Sequence, residues 1–342
     1  MIGVRASVKW LLTAVAVLSG VSLAAQVLPG EEGILERGRR LPGEVSVEAL
    51  VDSVARWGRT EREKVIVLAG WFREYMAIDV GKFLTGGPDG DYRDVLKERK
   101  GICGDFTGLF GELCNRLGIE NERVEGYVVE DGRERGETCL RTNHVWNAVR
   151  VAGEWWHVDM MWAVGALGRD AGGEWMFKRH WNPEYVLTRG EQFLTTHMPA
   201  DPAWQLTDRP YPMDAFIEGN LADGERGDYY NYMDSITVFR CLPRDERQML
   251  FARRANRFNP RNKEVMAVTY YNEAVFLLNY NRKTRAVLNR AREYFRIAEE
   301  YARDLPGVKE SIDEGLRHVE ARIKWRNENL TYFGLAFGKA VE

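Results

Sequence analysis

The 342-residue sequence has few metal-binding side chains, with four cysteines and five histidines. No two of them lie at the spacing of a zinc site. No Asp- and Asn-rich calcium loop occurs either. The formal net charge of −3 is too small to favour nucleic acid or an anionic membrane as the main partner. We therefore expect no metal, no cofactor and no nucleic-acid partner.

The sequence also lacks an apolar run long enough to cross a bilayer. Trp10–Leu23 is uncharged but only about 14 residues long, against the ~20 that a spanning helix needs. It follows Arg5 and Lys9, and Ser22 to Ala24 form the small-x-small pattern of a cleavage site. Residues 1–24 thus resemble a signal peptide, and no cysteine follows that would carry a lipoprotein anchor. We predict a periplasmic or secreted protein without stable membrane insertion after cleavage; an uncleaved anchor is the alternative.

The cysteines are Cys103, Cys114, Cys139 and Cys241. If Cys103 is a free nucleophile, three remain, which is an awkward number for pairing. An oxidising compartment permits one disulfide among Cys114, Cys139 and Cys241. The alternative is that all three are small buried hydrophobic residues.

The fold class follows from the order of periodic segments. Apolar residues recur at helical spacing from Ser46 to Met76, and the glycine-rich stretch Gly81–Gly90 predicts a loop. A second helical pattern begins at Cys103 and ends where Gly118 can cap it. Short strand-like runs follow, of which His144–Val151 and Trp155–Asp159 are joined by a turn at Ala152-Gly153. A helix followed by an antiparallel sheet is an α+β layout.

Further along, residues 162–242 predict loops and short strands, and a polar loop is expected at Glu130–Glu137. Beyond Arg244 three helical patterns occur, at Glu264–Leu278, Thr284–Arg303 and Val308–Trp325. We predict four parts: a signal peptide (1–24), a lead-in with a helix (25–59), the main α+β domain (60–243) and a helical C-terminal segment (244–342).

Cys103 lies where a helix is about to begin, between Gly101 and Gly104. Unpaired N–H groups at a helix N-terminus favour a thiolate over a thiol, and they can hold an oxyanion during acyl transfer. Cysteine at a helix start is by itself more often structural. Its significance depends on what else the fold brings near it.

His144 begins one strand of the predicted hairpin and Asp159 ends the other. In an antiparallel pair closed at Gly153, position 144 lies across from roughly position 160, so the two side chains meet at one end of the hairpin. A carboxylate beside an imidazole fixes its tautomer and stabilises the imidazolium that forms when histidine takes a proton from a thiol. Cys103, His144 and Asp159 together predict a catalytic triad.

Three segments around these residues resemble the motifs of the transglutaminase-like superfamily: Gly101–Leu113, Asn143–Asn147 and Trp155–Asp159. The resemblance covers about residues 60–218 and implies a papain-like core in which a nucleophile helix packs on an antiparallel sheet. It also implies that Cys103 is the nucleophile, His144 the general base and then acid, and Asp159 the orienting carboxylate. The sequence departs from the family after Asp159, where Met160-Met161-Trp162 replaces a Pro-Thr-Trp type sequence but keeps the aromatic residue.

Two further segments refine this resemblance. Val67–Tyr75, which contains Trp71, resembles the helix that precedes the nucleophile in the family. Phe193–Pro199 with Trp204–Leu206 is similar to the tail of the kyphoscoliosis-peptidase and cytokinesis-protein branch.

Other candidate residues flank the triad. Trp71, Gly104, Trp146 and Trp162 are candidates for the substrate cleft, although Trp71 can equally belong to a helix core. We interpret His157, which alternates with core residues on a strand, as structural. His197 lies in the downstream motif and is interpreted as a packing or hydrogen-bonding residue. His180 has no motif around it.

The function expected is an exported, cofactor-free cysteine enzyme that acts on amide bonds of a protein or peptide through a thioester. Water or an amine can resolve the thioester, so the expectation covers peptidase, amidase and transglutaminase activities. The alternative from another class is a binding or scaffold protein that retains the fold and captures a partner with its C-terminal helices. A papain-type protease is disfavoured, because the Cys103-to-His144 interval is 41 residues (144 − 103) where ~130 or more is typical.

Overall fold

A computed structural model describes residues 30–129, 134–222, 224–280 and 284–338. The described chain divides into two compact units, one extending to Thr237 and the other beginning at Val238. The predicted signal peptide lies outside the described residues, and the predicted domain limits stay predictions. Within the described ranges, no helix is both long and apolar enough to cross a membrane.

The first unit alternates helices with short strands. Its helices are α1 (Glu32–Arg39), α2 (Val47–Trp57), α3 (Glu61–Tyr75), α4 (Val80–Thr85), α5 (Tyr92–Glu98), α6 (Cys103–Arg116), α7 (Arg135–Thr138), α8 (Met160–Val164), α9 (Glu191–Leu194) and α10 (Met213–Glu218). Its strands are β1 (Ala77–Ile78), β2 (Lys100–Gly101), β3 (Asn121–Val128), β4 (His144–Val151), β5 (Glu154–Val158), β6 (Gly165–Arg169), β7 (Trp175–Arg179), β8 (Val186–Thr188) and β9 (His197–Pro199). Helix α11 (Tyr232–Cys241) spans the division between the units.

Five antiparallel strands form the main sheet in the order β8-β5-β4-β3-β9, with β4 at its centre. The β4–β5 register pairs Asn147 with Val158 and Val151 with Glu154. Ala152 and Gly153 between them have φ of +52° and +85°, as a type I′ turn requires. The predicted hairpin and the α+β fold class are confirmed.

Helix α6 packs on this sheet and on α3. Phe106 and Phe110 of α6 are fully buried, with ring centroids 6.0 and 5.9 Å from that of Phe72 in α3. Two buried hydrogen bonds fix the helix to the central strand. The Thr107 hydroxyl donates to the Val145 carbonyl at 3.2 Å, and the Asn147 amide donates to the Thr107 carbonyl at 3.2 Å. The N-terminus of α6 is therefore held at a defined place beside the start of β4.

The structure corrects three local predictions. The helical pattern from Ser46 to Met76 is two helices, because a second N-cap at Thr60, whose hydroxyl accepts from Glu63, starts α3 anew. The first half of the predicted Gly81–Gly90 loop is α4, which the Asp79 side chain caps. The polar loop at 130–137 contains the short helix α7, while its residues 130–133 lie outside the described part of the chain.

None of the four cysteines, all within the described residues, is joined in a disulfide. Cys114 and Cys139 are buried, as small hydrophobic residues are, and Cys241 is exposed. Gly118 has φ of +72° and follows α6, which confirms the predicted end of the helix that begins at Cys103.

The second unit is helical among its described residues. Its helices are α12 (Arg244–Phe258), α13 (Glu264–Tyr280), α14 (Arg285–Tyr301) and α15 (Pro306–Gly338). Helices α13 and α14 pack through edge-to-face pairs that join Tyr270 to Tyr294 and Tyr271 to Phe295. The three predicted helices are present, whereas α12 was missed because its arginine-rich sequence has few apolar residues to show a period.

Candidate active site

Cys103 is the first residue of α6 and is partly exposed. Ile102 before it is extended, and the Asp105 carboxylate accepts the backbone N–H of Ile102 at 2.8 Å. This is the reciprocal half of a capping box, made by the third residue of the helix. The backbone on both sides of the thiol is thus fixed before any substrate arrives.

Asp105 is the anchor for this end of the helix. Its side chain is almost fully buried and forms an ion pair with Lys82, whose Nζ lies 2.8 and 2.6 Å from the two carboxylate oxygens. The same carboxylate accepts the N–H of Gly90 at 2.6 Å. Helix α4, the loop that ends at Gly90 and the start of α6 therefore converge on one carboxylate.

Gly104 is needed for a different reason. A Cβ built on it would lie 1.9 Å from an Asp89 carboxylate oxygen, so this carboxylate occupies the space of the missing side chain. Asp89 also pairs with Arg123 of β3 at 3.1 Å. The residue after Cys103 is glycine because a loop carboxylate lies against it.

His144 and Asp159 meet at the end of the β4–β5 hairpin. His144 Nε2 lies 2.5 Å from Asp159 Oδ2, and both side chains are 2% exposed. Cys103 lies close enough to His144 to raise the pKa of the imidazole. The structure thus brings together the three residues that the sequence pattern selected.

Asp159 also starts a helix. Its Oδ1 accepts the backbone N–H of Trp162 at 3.0 Å and so caps α8. Its Oδ2 accepts a second imidazole, since His197 Nε2 lies 3.1 Å away. The carboxylate is therefore fixed by donors from three places in the chain.

Aromatic rings enclose the two imidazoles. Trp146 stacks on His144 with centroids 6.1 Å apart, and Trp162 lies 5.9 Å from His144 and 4.6 Å from His197. Phe193 stacks on His197 at 4.4 Å. These rings keep water away from the hydrogen bonds, which strengthens the electrostatic interactions within the group.

The charges of this group follow from burial and from Asp159. Burial alone lowers the pKa of His144, but the charge and hydrogen bond of Asp159, together with the hydrogen bond to Cys103, outweigh it and raise this pKa to about 10. Burial raises the pKa of Asp159, yet His144 and His197 hold it well below its usual range. Burial lowers the pKa of His197 to about 4, against the attraction of Asp159. At neutral pH the arrangement is imidazolium, carboxylate and neutral imidazole.

His144, Asp159 and His197 offer three possible ligand atoms within 4.8 Å of one another. Both imidazole nitrogens, however, lie at hydrogen-bond distance from the same carboxylate oxygen. A cation would have to replace both protons of these hydrogen bonds in a site with almost no exposed surface. The geometry fits a proton-holding group, and we assign no step to a metal.

Residues 48–160 match the family model of the transglutaminase-like superfamily. This segment contains Cys103, His144 and Asp159, and its boundary lies just after the carboxylate. The chain contains a transglutaminase-like domain. The predicted resemblance is confirmed for this part of the chain.

Relatives of the transglutaminase-like domain include kyphoscoliosis peptidase from Homo sapiens, 26% identical over 191 residues, or 54% of this chain and 27% of the relative. Lim and transglutaminase domain protein ltd-1 from Caenorhabditis elegans is 28% identical over 110 residues, covering 30% and 15%. A Cytophaga hutchinsonii protein, solved as a candidate cysteine protease, aligns at 18% identity with a TM-score of 0.26 over 45% of this chain and 61% of that one. The chain spans about a quarter or less of the curated relatives' length. The predicted kyphoscoliosis-peptidase branch is confirmed.

The four residues predicted to line the substrate cleft differ in burial and in what they contact. Trp71 is fully buried and donates its indole N–H to the Pro42 carbonyl at 3.0 Å, so it belongs to the helix core and offers no surface to a substrate. Trp146 is also buried and donates to His157 Nδ1 at 3.0 Å, which makes it a support behind His144. Gly104 makes room for Asp89. Trp162 alone among the four keeps partial exposure beside His144.

Two residues of the site were missed or undervalued by sequence reasoning. His197 was interpreted only as a packing or hydrogen-bonding residue, yet it binds the triad carboxylate. Asp89 was treated as part of a loop, yet it lies against the residue after the nucleophile. The pairing of Val128 with His197 across β3 and β9 places that histidine, and no local pattern indicates such a pairing.

Acid should destabilise the domain through two buried histidines. Burial, with repulsion from His197 and Arg189, lowers the pKa of His157 to about 3, and that of His197 is about 4. Both are neutral when folded but regain a pKa near 6.5 on unfolding, so their contribution is complete above pH 6.5 and is lost as pH falls toward 4. We expect the free energy of unfolding, measured with urea, to fall by about 2–4 kcal/mol between pH 7 and pH 5.

His144 acts in the opposite direction. Its raised pKa contributes stability that is complete below pH 6.5 and is lost as pH rises toward 10. The loss below pH 6.5 therefore belongs to the other two histidines, and His157→Phe should remove about half of it. An equal pH dependence in wild type and His157→Phe would contradict this assignment.

Proposed function

We propose that the protein is an exported cysteine enzyme that acts on amide bonds of a protein or peptide through a thioester on Cys103. The observation that carries the proposal is the buried 2.5 Å contact between His144 and Asp159, beside a cysteine at a helix N-terminus that also raises the pKa of His144. In this arrangement His144, the proposed base, lies between Cys103, the proposed nucleophile, and Asp159, the proposed orienting group, as acyl transfer requires.

The reaction follows from these groups. The Cys103 thiolate attacks the amide carbonyl carbon, an S–C bond forms, and the carbonyl electrons move onto oxygen, where N–H groups of the first turn of α6 can stabilise them. The His144 imidazolium gives its proton to the departing nitrogen as the C–N bond breaks. Neutral His144 then takes a proton from water or from an amine as that nucleophile attacks the thioester carbon. The C–S bond breaks, the acyl product leaves, and the Cys103 thiolate is restored beside the His144 imidazolium.

A thiol-directed reagent tests the nucleophile. Iodoacetamide should label Cys103 at pH 6–7, and peptide mass spectrometry should locate the label. In His144→Ala the rate should fall by on the order of 10²-fold or more, because the thiolate loses its ion-pair partner. The buried Cys114, whose pKa is raised beyond the usual range by burial, serves as an internal control that stays unlabelled. Equal, slow labelling of Cys103 in both proteins would instead support the binding or scaffold alternative.

A glutamine-containing peptide with and without a primary amine separates the possible outcomes of the thioester. Mass spectrometry distinguishes a gain of water after loss of ammonia from a gain of the amine. Cleavage of the peptide backbone would identify a peptidase. Wild-type protein and Cys103→Ala should be compared, since only turnover that Cys103→Ala abolishes belongs to this site.

Export belongs to the same proposal and rests on the pattern of residues 1–24. Expression of the full chain with its own N-terminus should yield a mature protein that begins near Ala25 and is recovered outside the cytoplasm. An intact N-terminus in the cytoplasmic fraction would contradict export and leave the acyl-transfer proposal untouched.

A further inference from the structure

Asp159 has two imidazole partners on one oxygen, and only one of them belongs to the triad. His144 Nε2 lies 2.5 Å and His197 Nε2 3.1 Å from Asp159 Oδ2. Because Oδ1 is used by the Trp162 N–H, the two oxygens of Asp159 have separate tasks. His197 therefore contacts the carboxylate on the side that faces His144.

The Asp159 carboxylate settles which tautomer His197 adopts. A carboxylate only accepts, so a neutral His197 carries its proton at Nε2 and donates it to Asp159. Its Nδ1 faces the Thr196 hydroxyl at 2.7 Å, and that hydroxyl also lies 3.3 Å from the Phe193 carbonyl. His197 is fully buried, and its low pKa keeps it neutral. It supplies a hydrogen bond to the carboxylate without adding a charge.

We propose that His197 is a positioning residue that holds the Asp159 carboxylate in the orientation in which it supports the His144 imidazolium. It touches neither substrate nor thiol in this role and acts through Asp159. The role rests on the proposed function of Cys103. Without His197, Asp159 Oδ2 accepts only from His144. The hydrogen bond from the Trp162 N–H still holds Oδ1, but the carboxylate can rotate away from His144.

The surroundings of His197 define what a pH experiment reports. The titratable groups facing it are His144 on β4, His157 on β5, Asp159 and Tyr185. Burial raises the pKa of Tyr185 to about 12, and that of His157 lies near 3. Neither group titrates between pH 5 and 10, and the His144 imidazolium loses its proton near pH 10. Changes within that range therefore report the Cys103–His144 pair.

The test compares His197→Phe, which keeps a ring but removes both nitrogens, with His197→Gln, which keeps a donor. The alkylation rate of Cys103 by iodoacetate should be bell-shaped in pH for wild type, because this anionic reagent reacts fastest with the thiolate–imidazolium pair. In His197→Phe we expect the maximum alkylation rate to fall about 10- to 100-fold, because a misoriented Asp159 supports the imidazolium less. The acidic and alkaline limbs, where the rate rises and falls with pH, should both move toward the maximum. His197→Gln should restore the limbs toward their wild-type positions.

His157→Phe is the matched control. His157 is likewise fully buried and stacks on Phe193 at 4.3 Å, but the hydrogen bond that it accepts comes from Trp146. Its replacement should leave the positions of both limbs unchanged. Circular dichroism before each measurement identifies a variant that has not folded. If His197→Phe does not fold, His197→Gln is compared with wild type alone, and its limbs should lie at pH values shifted slightly toward the maximum.

Proton NMR gives a second measurement that needs no substrate. The short hydrogen bond between His144 and Asp159 should produce a far-downfield N–H resonance in wild type. It should move upfield or disappear in His197→Phe, return in His197→Gln and persist in His157→Phe. Unchanged limbs and resonance in folded His197→Phe would overturn the positioning role. Absence of turnover by wild type would contradict only the proposed function, since the alkylation and NMR comparisons remain readable.

Discussion

Asp159→Asn should lower the rate of amide turnover by on the order of 10⁴-fold while the protein stays folded. An asparagine in this place cannot support the imidazolium, and the 2.5 Å contact with His144 loses its charge. Asparagine caps helices about as well as aspartate, so the hydrogen bond from the Trp162 N–H that caps α8 is kept. The substitution also removes the charge that raises the pKa of His144, so some stability is lost with it. Steady-state kinetics and urea unfolding on the same sample show whether turnover falls further than the folded fraction accounts for.

Asp201→Asn is the control for this substitution. Asp201 is also buried, and its carboxylate caps a short 3-10 helix by accepting the N–H of Ala203 at 3.0 Å. This hydrogen bond involves none of the histidines of the site. Asp201→Asn should change turnover by less than about threefold. Turnover within tenfold of wild type in Asp159→Asn would show that the carboxylate does not orient His144.

The largest loss of stability is expected from Asp105→Ala. Removing one partner of a buried ion pair costs about 3–5 kcal/mol, because the other charge is left without compensation. Here the Lys82 ion pair is lost together with the hydrogen bonds from Ile102 and Gly90. Urea unfolding should show a decrease in that range, and labelling of Cys103 should slow as the start of α6 loosens.

A double-mutant cycle isolates the ion pair. Lys82→Ala alone leaves Asp105 with two backbone donors, and the double variant should be less destabilised than the sum of the single variants by about 1–3 kcal/mol. Asp79→Ala is the comparison for a cap without the buried pair, and it should cost about 1 kcal/mol. Additive effects of Asp105→Ala and Lys82→Ala would contradict a coupled anchor.

The sequence predicts those parts of the site whose residues lie close together along the chain. His144 and Asp159 are 15 residues apart and joined by a turn whose glycine is visible, so their proximity follows from strand geometry. The position of α6 is also specified locally, since its helical period begins at Cys103 and Gly118 follows its last turn. These are the parts that short-range patterns can specify.

The remaining features depend on long-range packing. His197 reaches Asp159 across 38 residues, through the pairing of β9 with β3 at the edge of the sheet. The spacing of Trp71 along its helix is the same for a core residue as for a cleft residue. Only the contact of its indole with Pro42 places it in the core. Periodicity identifies which side of an element is buried but not which neighbour it meets.

The double duty of Asp159 bears on how related sequences should be read. One oxygen starts α8 and the other binds two imidazoles, so folding and chemistry both select for this side chain. A descendant that lost its thiol would still be under pressure to keep an aspartate or asparagine here. Among homologues, retention of Asp159 is therefore poor grounds for inferring activity. Loss of Cys103, which caps nothing, is the informative change.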